Sequence, residues 1–270
     1  MRAEPDATAL ELPRLSLRGV SKRFGSLAAV EGITLDVRRG EFLSLLGPSG
    51  CGKSTVLHMI AGFERPDAGT IEIDGRPVTG PGKDRLVIFQ EPGLMPWLTV
   101  AENAGFGLPR KPRELYEETV RNLLRLVHLE RFGEMLPHQL SGGMKQRAAL
   151  ARAIAVDPDV LLMDEPFAAL DPQTREMLHG DLQEIWMGTR KTVVFVTHSV
   201  EEAVRLSDRV AILATHPGRV RRVIPIDLPH PRDFNSAEIA GIRREIREEM
   251  REEMAAIARG RDGAPGPERR

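Results

Sequence analysis

The chain has 270 residues, and its 38 lysines and arginines against 39 aspartates and glutamates give a formal net charge of -1. This balance excludes a global electrostatic field that would attract nucleic acid or an anionic membrane. The single cysteine, Cys51, excludes an internal disulfide and is typical of a reducing compartment. No window approaches the roughly 18 apolar residues that a membrane helix needs, and the start of the chain has no long apolar stretch. We therefore expect a soluble protein that stays where it is made.

The first part of the chain has the pattern of short strands followed by a glycine loop and a helix. The runs LSLRGV, ITLDV and EFLSLLG have strand character and lead into GPSGCGKST, after which TVLHMIAGF is typical of a helix that ends near Gly62. The segment GTIEIDGRPV predicts two strands around an Asp-Gly turn, and LVIF (86–89) predicts a short buried strand.

A helical pattern replaces the strands between residues 91 and 156. The sequence TVAE fits a capping box, with Thr99 as N-cap and Glu102 at the third helical position. Further on, LYEETVRNLLRLV has apolar residues at helical spacing. The sequence therefore predicts a helical insertion.

Strand signals return after the insertion and alternate with helices. The unbroken apolar run in VLLMDE (160–165) suits a parallel strand that is buried on both faces. A helix follows from Asp171 and Pro172, then the strand TVVFVT, then a helix opened by Ser199 with Glu202 in a second capping box. The runs RVAILA and RVRRVIPIDL flank the turn HPG and predict a closing hairpin. This alternation predicts an α/β fold with a mostly parallel sheet covered on both sides.

The C-terminal region predicts a helix with one apolar face, followed by a disordered tail. Like-charge pairs at helical spacing, such as Glu248 with Glu252, weaken this helix in isolation, so we expect docking to order it. The apolar face comprises Ile239, Ile242, Ile246, Met250, Met254 and Ile257. The predicted organisation is an N-terminal tail (1–13), an α/β core with a β subdomain (14–90 and 157–230), a helical subdomain (91–156), a C-terminal helical extension (231–259) and a disordered tail (260–270).

The glycine loop carries the first chemical signal, because GPSGCGKS matches the phosphate-binding pattern G-x-x-x-x-G-K-[ST] between a predicted strand and a helix. Its glycines let backbone N–H groups turn inward, and the helix N-terminus adds a positive dipole end. We expect Lys53 to bridge the β- and γ-phosphates of a nucleotide and the Ser54 hydroxyl to ligate Mg²⁺. The predicted phosphate-binding residues are Gly47, Pro48, Ser49, Gly50, Cys51, Gly52, Lys53, Ser54 and Thr55.

Two adjacent carboxylates, Asp164 and Glu165, stand at the end of a predicted buried strand. Parallel sheets collect their ligand sites at this end, and a buried acidic pair without a function is costly. The sequence therefore predicts Asp164 as a Mg²⁺ ligand, direct or through water, and Glu165 as the base that accepts a proton from the attacking water.

A third motif, LSGGMKQR, begins a helix inside the predicted insertion. Ser141 is the candidate N-cap, and Gly142 and Gly143 follow it. Exposed N–H groups at the helix start and the serine hydroxyl form a second candidate anion site. Alone this motif is weak, because many junctions between a loop and a helix have such residues.

Six features, in their order along the chain, together resemble the nucleotide-binding subunit of an ABC transporter. They are GPSGCGKST, Gln90, LSGGMKQR, LLMDEP, AALD and VTHS, and the resemblance extends from about Leu15 to Leu228. The resemblance implies a P-loop NTPase core of the RecA-like type, with an antiparallel β subdomain and an inserted α-helical subdomain. It also implies ATP and Mg²⁺ as cofactors, and a head-to-tail dimer that sandwiches two ATP molecules.

The same resemblance assigns roles to individual residues. Phe24 is implied to stack on adenine, Gln90 to contact Mg²⁺ or water, and His198 to hold the γ-phosphate and the attacking water. Asp171 is implied to contact the other subunit, as are Ser141 and Gly143, which would reach the γ-phosphate bound by the partner's P-loop. The alternative for Phe24 and His198 is a place in the core.

Two functions from different classes remain open at this point. The first is the energy-supplying subunit of an importer, peripheral on the cytoplasmic face of the cell membrane and bound to a separate permease. The second is a non-transport ABC ATPase that acts on nucleic acid or ribosomes. We favour the importer and expect no nucleic-acid partner, because the interval between Lys53 and Ser141 is too short for a long coiled coil and only one P-loop is present. A GTPase or small-molecule kinase is disfavoured by the absence of an NKxD motif.

Longer segments, among them THSVEEAVRLSDRV and HPGRVRRVIPIDLPHPRD, resemble the nitrate, sulfonate and taurine importer group. The resemblance implies uptake of a small anion or sulfonate that an external solute-binding protein and the permease select. The apolar segment FQEPGLMPWLTV joins the predicted core to the helical insertion. We interpret its Trp97 and Leu98 as a contact for a permease helix, with filling of the seam between subdomains as the alternative.

Overall fold

Two β-sheets organise the chain in the computed structural model, which describes residues 12–110, 112–215 and 217–262. The first sheet is antiparallel, and its strand order is β2-β1-β4-β5. The predicted Asp-Gly turn joins its last two strands, with Asp74 and Gly75 both at positive φ. The strands are β1 (Leu15–Phe24), β2 (Leu27–Val37), β4 (Ala68–Ile73) and β5 (Arg76–Pro77).

The second sheet has six strands in the order β10-β9-β3-β8-β7-β6. The neighbours from β9 to β6 pair in parallel, and only the edge strand β10 is antiparallel, so the predicted mostly parallel sheet and closing hairpin are confirmed. Its central strands are buried throughout, as their unbroken apolar runs indicate. The strands are β3 (Phe42–Leu46), β6 (Arg85–Ile88), β7 (Val160–Asp164), β8 (Thr192–Thr197), β9 (Arg209–Ala214) and β10 (Arg219–Pro225).

Helices cover both faces of the second sheet. Alternate residues of β7 divide the core: Leu162 packs with α1 and the antiparallel sheet, whereas Leu161 and Met163 pack with α4 and α5. The helices are α1 (Lys53–Ala61), α2 (Val100–Gly105), α3 (Arg113–Leu126), α4 (Gly142–Ala155), α5 (Pro172–Thr189), α6 (Val200–Leu206) and α7 (Ala237–Asp262).

The predicted helical insertion contains α2, α3, α4 and two short 3₁₀ turns, Glu130–Phe132 and Pro137–Gln139. The capping box at Thr99 is complete, because its hydroxyl accepts from the Glu102 amide and the Glu102 carboxylate accepts from the Thr99 amide. The second predicted capping box is only half right. Ser199 caps α6, but the Glu202 carboxylate accepts from the Thr197 hydroxyl instead of the Ser199 amide.

The C-terminal helix α7 packs on α6 and β9 through the predicted apolar face. Ile239 and Ile246 are buried there, with Ile242 and Met250 partly buried beside them. The side chains of Met254 and Ile257, which the prediction places on the same face, lie outside the described residues. The helix extends to Asp262, into the predicted disordered tail, and residues 263–270 of that tail lie outside the described residues, as do 1–11 of the predicted N-terminal tail. Within the described ranges, no helix has the length and apolar character needed to cross a bilayer.

Candidate functional site: a phosphate-binding loop facing paired carboxylates

The glycine loop lies between β3 and α1, at the carboxyl edge of the parallel sheet. Gly52 is the N-cap of α1 and has a φ of 89°, a conformation that favours glycine. A Cβ at this position would lie 2.9 Å from the carbonyl oxygen of Ala29. The loop therefore turns into the helix N-terminus with its backbone pressed against β2, and its N–H groups are available for an anion.

A cavity of about 400 Å³ opens in front of this loop. Phe24, at the end of β1, is 47% exposed and forms part of the cavity wall. The alternative, that Phe24 packs in the core, is therefore wrong. Leu27, Ala28 and Ala29 also line the cavity, and no motif indicates these three residues because they belong to an ordinary strand. The remaining lining residues are Ser49, Gly50, Gly52, Lys53, Ser54, Thr55 and Glu165.

Lys53 is buried and directed back into the loop. Its Nζ donates hydrogen bonds to the carbonyl oxygens of Gly47, at 2.8 Å, and Pro48, at 3.0 Å. The same nitrogen lies 3.9 Å from Oε1 of Glu165. The ammonium group is thus held within reach of the cavity by carbonyl oxygens, with which phosphate oxygens would compete.

The neighbouring Cys51 is fully buried beneath the loop. Burial raises the pKa of its thiol, Lys53 opposes this rise, and the carboxylate of Glu253 adds to it. A protonated, inaccessible thiol is a poor nucleophile, in agreement with a packing role in the loop.

Asp164 ends β7 beside the first turn of α1. The Ser54 hydroxyl donates to its Oδ1 over 3.0 Å. Burial raises the pKa of Asp164, and the hydrogen bond from Ser54 offsets only part of this effect. A hydroxyl and a carboxylate side by side are the hard oxygen donors that Mg²⁺ prefers. Among the described residues no group of three or more His, Cys, Asp or Glu forms a metal site, so the arrangement fits an ion that also uses phosphate and water oxygens.

Glu165 and His198 lie together at the next position of the sheet edge, where β7 and β8 end. Oε2 of Glu165 is 2.9 Å from Nδ1 of His198. The backbone of Glu165 has a φ of 45°, which a glutamate adopts only at a cost, and its amide donates to the Val196 carbonyl oxygen over 3.0 Å. The strained backbone turns the carboxylate toward the cavity and its imidazole neighbour.

A buried polar cluster begins at Thr197, the residue before His198, and the sequence did not reveal it. The Thr197 hydroxyl donates to the Glu202 carboxylate over 2.5 Å, and Nε2 of His179 lies 3.4 Å from the same carboxylate. Burial acts to raise the pKa of Glu202, but the nearby imidazole of His179 and the hydrogen bond from Thr197 outweigh it and lower the pKa. Arg175 donates to the carbonyl oxygens of Phe167 and Leu170, which links this cluster to the loop after Glu165. Only the tertiary fold brings these residues together.

Gln90 is exposed two residues beyond the end of β6. Because β6 pairs with β7, Gln90 lies at the same edge of the sheet as Asp164. Within the part of the chain that the structure describes, its side chain makes no hydrogen bond to the other predicted site residues. Its predicted contact with a metal or water therefore stays a prediction.

The LSGG segment does not line the cavity. Ser141 is exposed and caps α4 by accepting from the Met144 amide over 3.3 Å. A Cβ at Gly142 would lie 3.2 Å from Leu170, and one at Gly143 would meet the methyl group of Thr174. The two glycines thus pack against the loop and first turn that follow Glu165, while the serine hydroxyl and the helix start face outward.

Asp171 is the N-cap of α5, as the sequence predicts. Its Oδ1 accepts from the Thr174 amide over 3.0 Å, and the hydrogen bonds from Thr174 lower its pKa. The residue is exposed, beside the packed glycines of the LSGG segment. It therefore belongs to the same outer surface as Ser141 and not to the cavity.

A larger groove of about 1400 Å³ lies between the end of β2 and the segment after β10. Several of its charged residues are in ion pairs: Arg209 bonds Glu41 at 3.0 Å within the groove, and Arg39 bonds Asp74, outside its lining, at 2.5 Å. None of the predicted site residues lines it. We therefore assign the chemistry to the smaller cavity.

Comparisons with known proteins agree with this geometry. The family described as ABC transporter matches residues 30–168. An uncharacterized ABC transporter ATP-binding protein of Methanocaldococcus jannaschii is 47% identical over 247 residues, which cover 89% of this chain and 92% of that protein. A nitrate import ATP-binding protein of Synechocystis is 43% identical, and the match covers 94% of this chain and 96% of that protein. A taurine import ATP-binding protein of Jannaschia is also 43% identical, and the match covers 87% of this chain and 92% of that protein.

A solved structure gives the same picture. The dimeric post-hydrolysis state of the ATP-binding cassette MJ0796, bound to ADP and Pi, superposes with a TM-score of 0.70 at 33% identity. The superposition covers 80% of this chain and 100% of that chain.

Proposed function

The chain belongs to the ABC transporter family as an ATP-hydrolysing subunit with a P-loop NTPase core, and we propose that it powers an importer by acting on a separate membrane permease. One observation carries the proposal. The P-loop and Glu165 line one cavity, with Asp164 bonded to Ser54 and His198 bonded to Glu165, whereas the LSGG segment of the same chain faces outward. One copy of the chain therefore holds only half of the hydrolytic site. An ATPase that works only after two copies close on each other requires this arrangement.

We assign the chemical roles from the contacts of each residue. Lys53 would leave the carbonyl oxygens of Gly47 and Pro48 for the β- and γ-phosphates, and the loop amides would bind the same oxygens. Ser54, Asp164 and Gln90 would hold Mg²⁺, which neutralises phosphate charge when bound. Phe24 would stack on the adenine at the opposite end of the cavity.

The proton transfer falls to Glu165, whose carboxylate faces the cavity at the end of β7. It would take a proton from the attacking water, and His198, 2.9 Å away, would orient that water and the γ-phosphate. A general base of this kind contributes on the order of 10²–10⁴ in rate. The larger contribution is electrostatic, from Lys53, the loop amides and the bound cation.

A second copy of the chain would complete the site head to tail. Ser141 and Gly143 at the N-terminus of α4 would contact the γ-phosphate bound by the partner, and Asp171 would contact the partner across the dimer. The dimeric form of the similar MJ0796 cassette supports this arrangement. Hydrolysis then depends on closure, because neither copy alone presents both phosphate-binding surfaces to the same nucleotide.

The permease would bind at the loop between β6 and α2. Trp97 is 72% exposed there, although its neighbours are anchored. The buried Asn103 holds the backbone of Met95 and Leu98, and Arg152 of α4 holds the carbonyl oxygens of Pro92 and Gly93. A large apolar side chain on a fixed loop, close to Gln90, suits transmission from the nucleotide to a membrane partner.

The solute is the part of the proposal that rests most on relatives. The nitrate and taurine import proteins named above support a small anion or sulfonate, such as nitrate, an alkanesulfonate or taurine. An external solute-binding protein would deliver it, and the chain would act on the cytoplasmic face of the membrane as a peripheral subunit.

The test of the importer role is a double substitution, Trp97→Ala with Leu98→Ala, assayed in a strain lacking the native gene. We expect uptake of nitrate, taurine or an alkanesulfonate to fall at least about tenfold, because a central aromatic anchor carries much of an interface's energy. Nucleotide affinity of the purified variant should remain that of the wild type. The matched control is Leu126→Ala with Phe132→Ala, which removes exposed apolar groups elsewhere in the helical insertion. Unchanged uptake by the Trp97 and Leu98 variant would refute the permease contact.

A further inference from the structure

The C-terminal helix α7 reaches a turn near the P-loop through one carboxylate. Glu253, only 7% exposed, accepts from the Thr215 amide over 2.8 Å and from its hydroxyl over 3.3 Å. Thr215 directly follows β9 and begins the β9–β10 turn (residues 215–218, of which 216 lies outside the described residues). A buried acid on a terminal helix thus holds the backbone of a connection that is distant in sequence.

The other end of that turn presses on the back of the P-loop. Gly218 donates to the Ala29 carbonyl oxygen over 3.0 Å, and its own carbonyl oxygen accepts from Glu31 over 2.9 Å. A Cβ added at Gly218 would collide with the carbonyl oxygen of Cys51, in the middle of the P-loop. The Leu213 carbonyl oxygen, at the end of β9, would likewise lie 2.9 Å from a Cβ at Gly47. Leu213 and Gly218, one on each side of the connection between β9 and β10, therefore form a wall against which the P-loop rests.

The carboxylate of Glu253 is held in place by an arginine of β10, which also bonds other acids of α7. Its other oxygen, Oε2, accepts from Arg221 of β10 over 3.2 Å, and Arg221 also bonds Glu249 at 3.0 Å. One end of the helix is fixed to α6 by ion pairs of Glu201 with Arg243 and Arg247. Because α6 follows His198, α7 joins the two sides of the nucleotide site, the His198 side and the P-loop side.

We propose that Glu253 is a positioning residue of the nucleotide site: its carboxylate holds the β9–β10 turn against the P-loop and thereby sets the affinity for ATP. The inference rests on the proposed binding of ATP by that loop. Without the carboxylate, the Thr215 amide loses its buried acceptor and the turn moves toward solvent to regain one. The P-loop then loses the wall behind Cys51, and its N–H groups are no longer fixed in the direction of the phosphates.

The experiment is the ATP dependence of hydrolysis by the full-length protein with Glu253→Ala. We expect KM for ATP to rise on the order of tenfold, while kcat at saturating ATP stays near that of the wild type, because bound nucleotide re-forms the loop. A Glu253→Gln variant should recover most of the affinity, since its amide oxygen still accepts from Thr215. The matched control is Glu252→Ala, which breaks an exposed bond to the same Arg221 but removes no hydrogen bond to the described residues of the turn.

Gly218→Ala supplies an independent test from the other side of the turn, and it leaves α7 intact. Its methyl group must push the turn away from Cys51, so KM should rise here too, even if Glu253→Ala fails to fold. A wild-type KM in Gly218→Ala, or in a folded Glu253→Ala, would overturn the proposal. So would a lower kcat with unchanged KM, which indicates only a smaller folded fraction. If the wild-type protein bound no ATP, the proposed function itself would fail.

Discussion

Asp164 shows at the scale of one residue that this site is built at a cost to stability. Because burial raises its pKa, the folded protein retains the Asp164 proton to a higher pH than the unfolded chain does. The ionised carboxylate therefore costs folding free energy at neutral pH. This cost disappears as the pH falls below the unfolded pKa of about 3.9, where both states are protonated.

Substitution of Asp164 by Asn should therefore stabilise the protein in the absence of nucleotide. We expect the thermal unfolding midpoint at pH 7 to rise by about 2 °C, because the amide oxygen still accepts from Ser54 and no charge is buried. The advantage should shrink between pH 7 and pH 4. Calorimetry over this range measures it, and a lower midpoint at pH 7 would contradict the argument. In the same variant, Mg²⁺ should no longer add to the stabilisation by ATP.

The residues of the site differ in how far the sequence could predict them. Gly47 to Thr55 form one continuous segment, so the sequence pattern already describes the local geometry. The partners of Glu202 and Glu253 lie in other elements, and no pattern of neighbouring residues encodes such pairs. Glu202 was accordingly predicted as a helix cap, whereas its carboxylate bonds Thr197. Motif residues are predictable, and the groups that hold them are not.

At the scale of elements, Arg232 ties the end of α6 to the segment that follows β10. Its guanidinium donates to the carbonyl oxygens of Val204 and Ser207, both at 2.7 Å, and to that of Ile226 at 3.1 Å. Burial lowers the pKa of Arg232 to about 10, so it remains charged at pH 7. The loop of His198 leads into the other end of this helix, and the arginine thus fixes the element at which that loop ends.

Arg232→Ala should destabilise the protein by about 3 kcal/mol, because several charge-assisted hydrogen bonds are lost and buried carbonyl oxygens remain unpaired. Arg232→Lys should fall between this variant and the wild type, since one ammonium group cannot span carbonyl oxygens of two elements. Urea denaturation monitored by circular dichroism gives both values. A loss below about 1 kcal/mol for the alanine variant would show that water replaces the guanidinium.

The helix α7 illustrates what periodicity reveals about an element and what it omits. The spacing of apolar residues predicted its packing face, and Ile239 and Ile246 confirm it. The like charges along it suggested a weak helix, but the structure pairs Glu252 with Arg221 of β10 and Arg247 with Glu201 of α6. Charges that repel within one helix are thus neutralised by its neighbours, which a sequence cannot show before the fold is known.

At the scale of the whole molecule, the division of the active site between two surfaces determines the behaviour in solution. In the proposed function the cavity with Lys53 and Glu165 accepts the nucleotide, while Ser141 lies on an outer surface next to Asp171. ATP bound in the cavity would then present its γ-phosphate to solvent until a second copy covers it. Association and hydrolysis would be linked, because the bound ATP would itself be part of the dimer interface.

Glu165→Gln separates these two events. The glutamine cannot accept the proton from water, so ATP persists in the closed site and we expect a stable dimer with ATP and Mg²⁺, with hydrolysis lower by about 10² or more. Light scattering with and without ATP measures the dimer.

In the same background, Ser141→Arg should remain monomeric while binding ATP as tightly, because Ser141 would contact only the partner's nucleotide. Equal dimerisation of the two variants would show that the surface around Ser141 is not the one that meets the γ-phosphate.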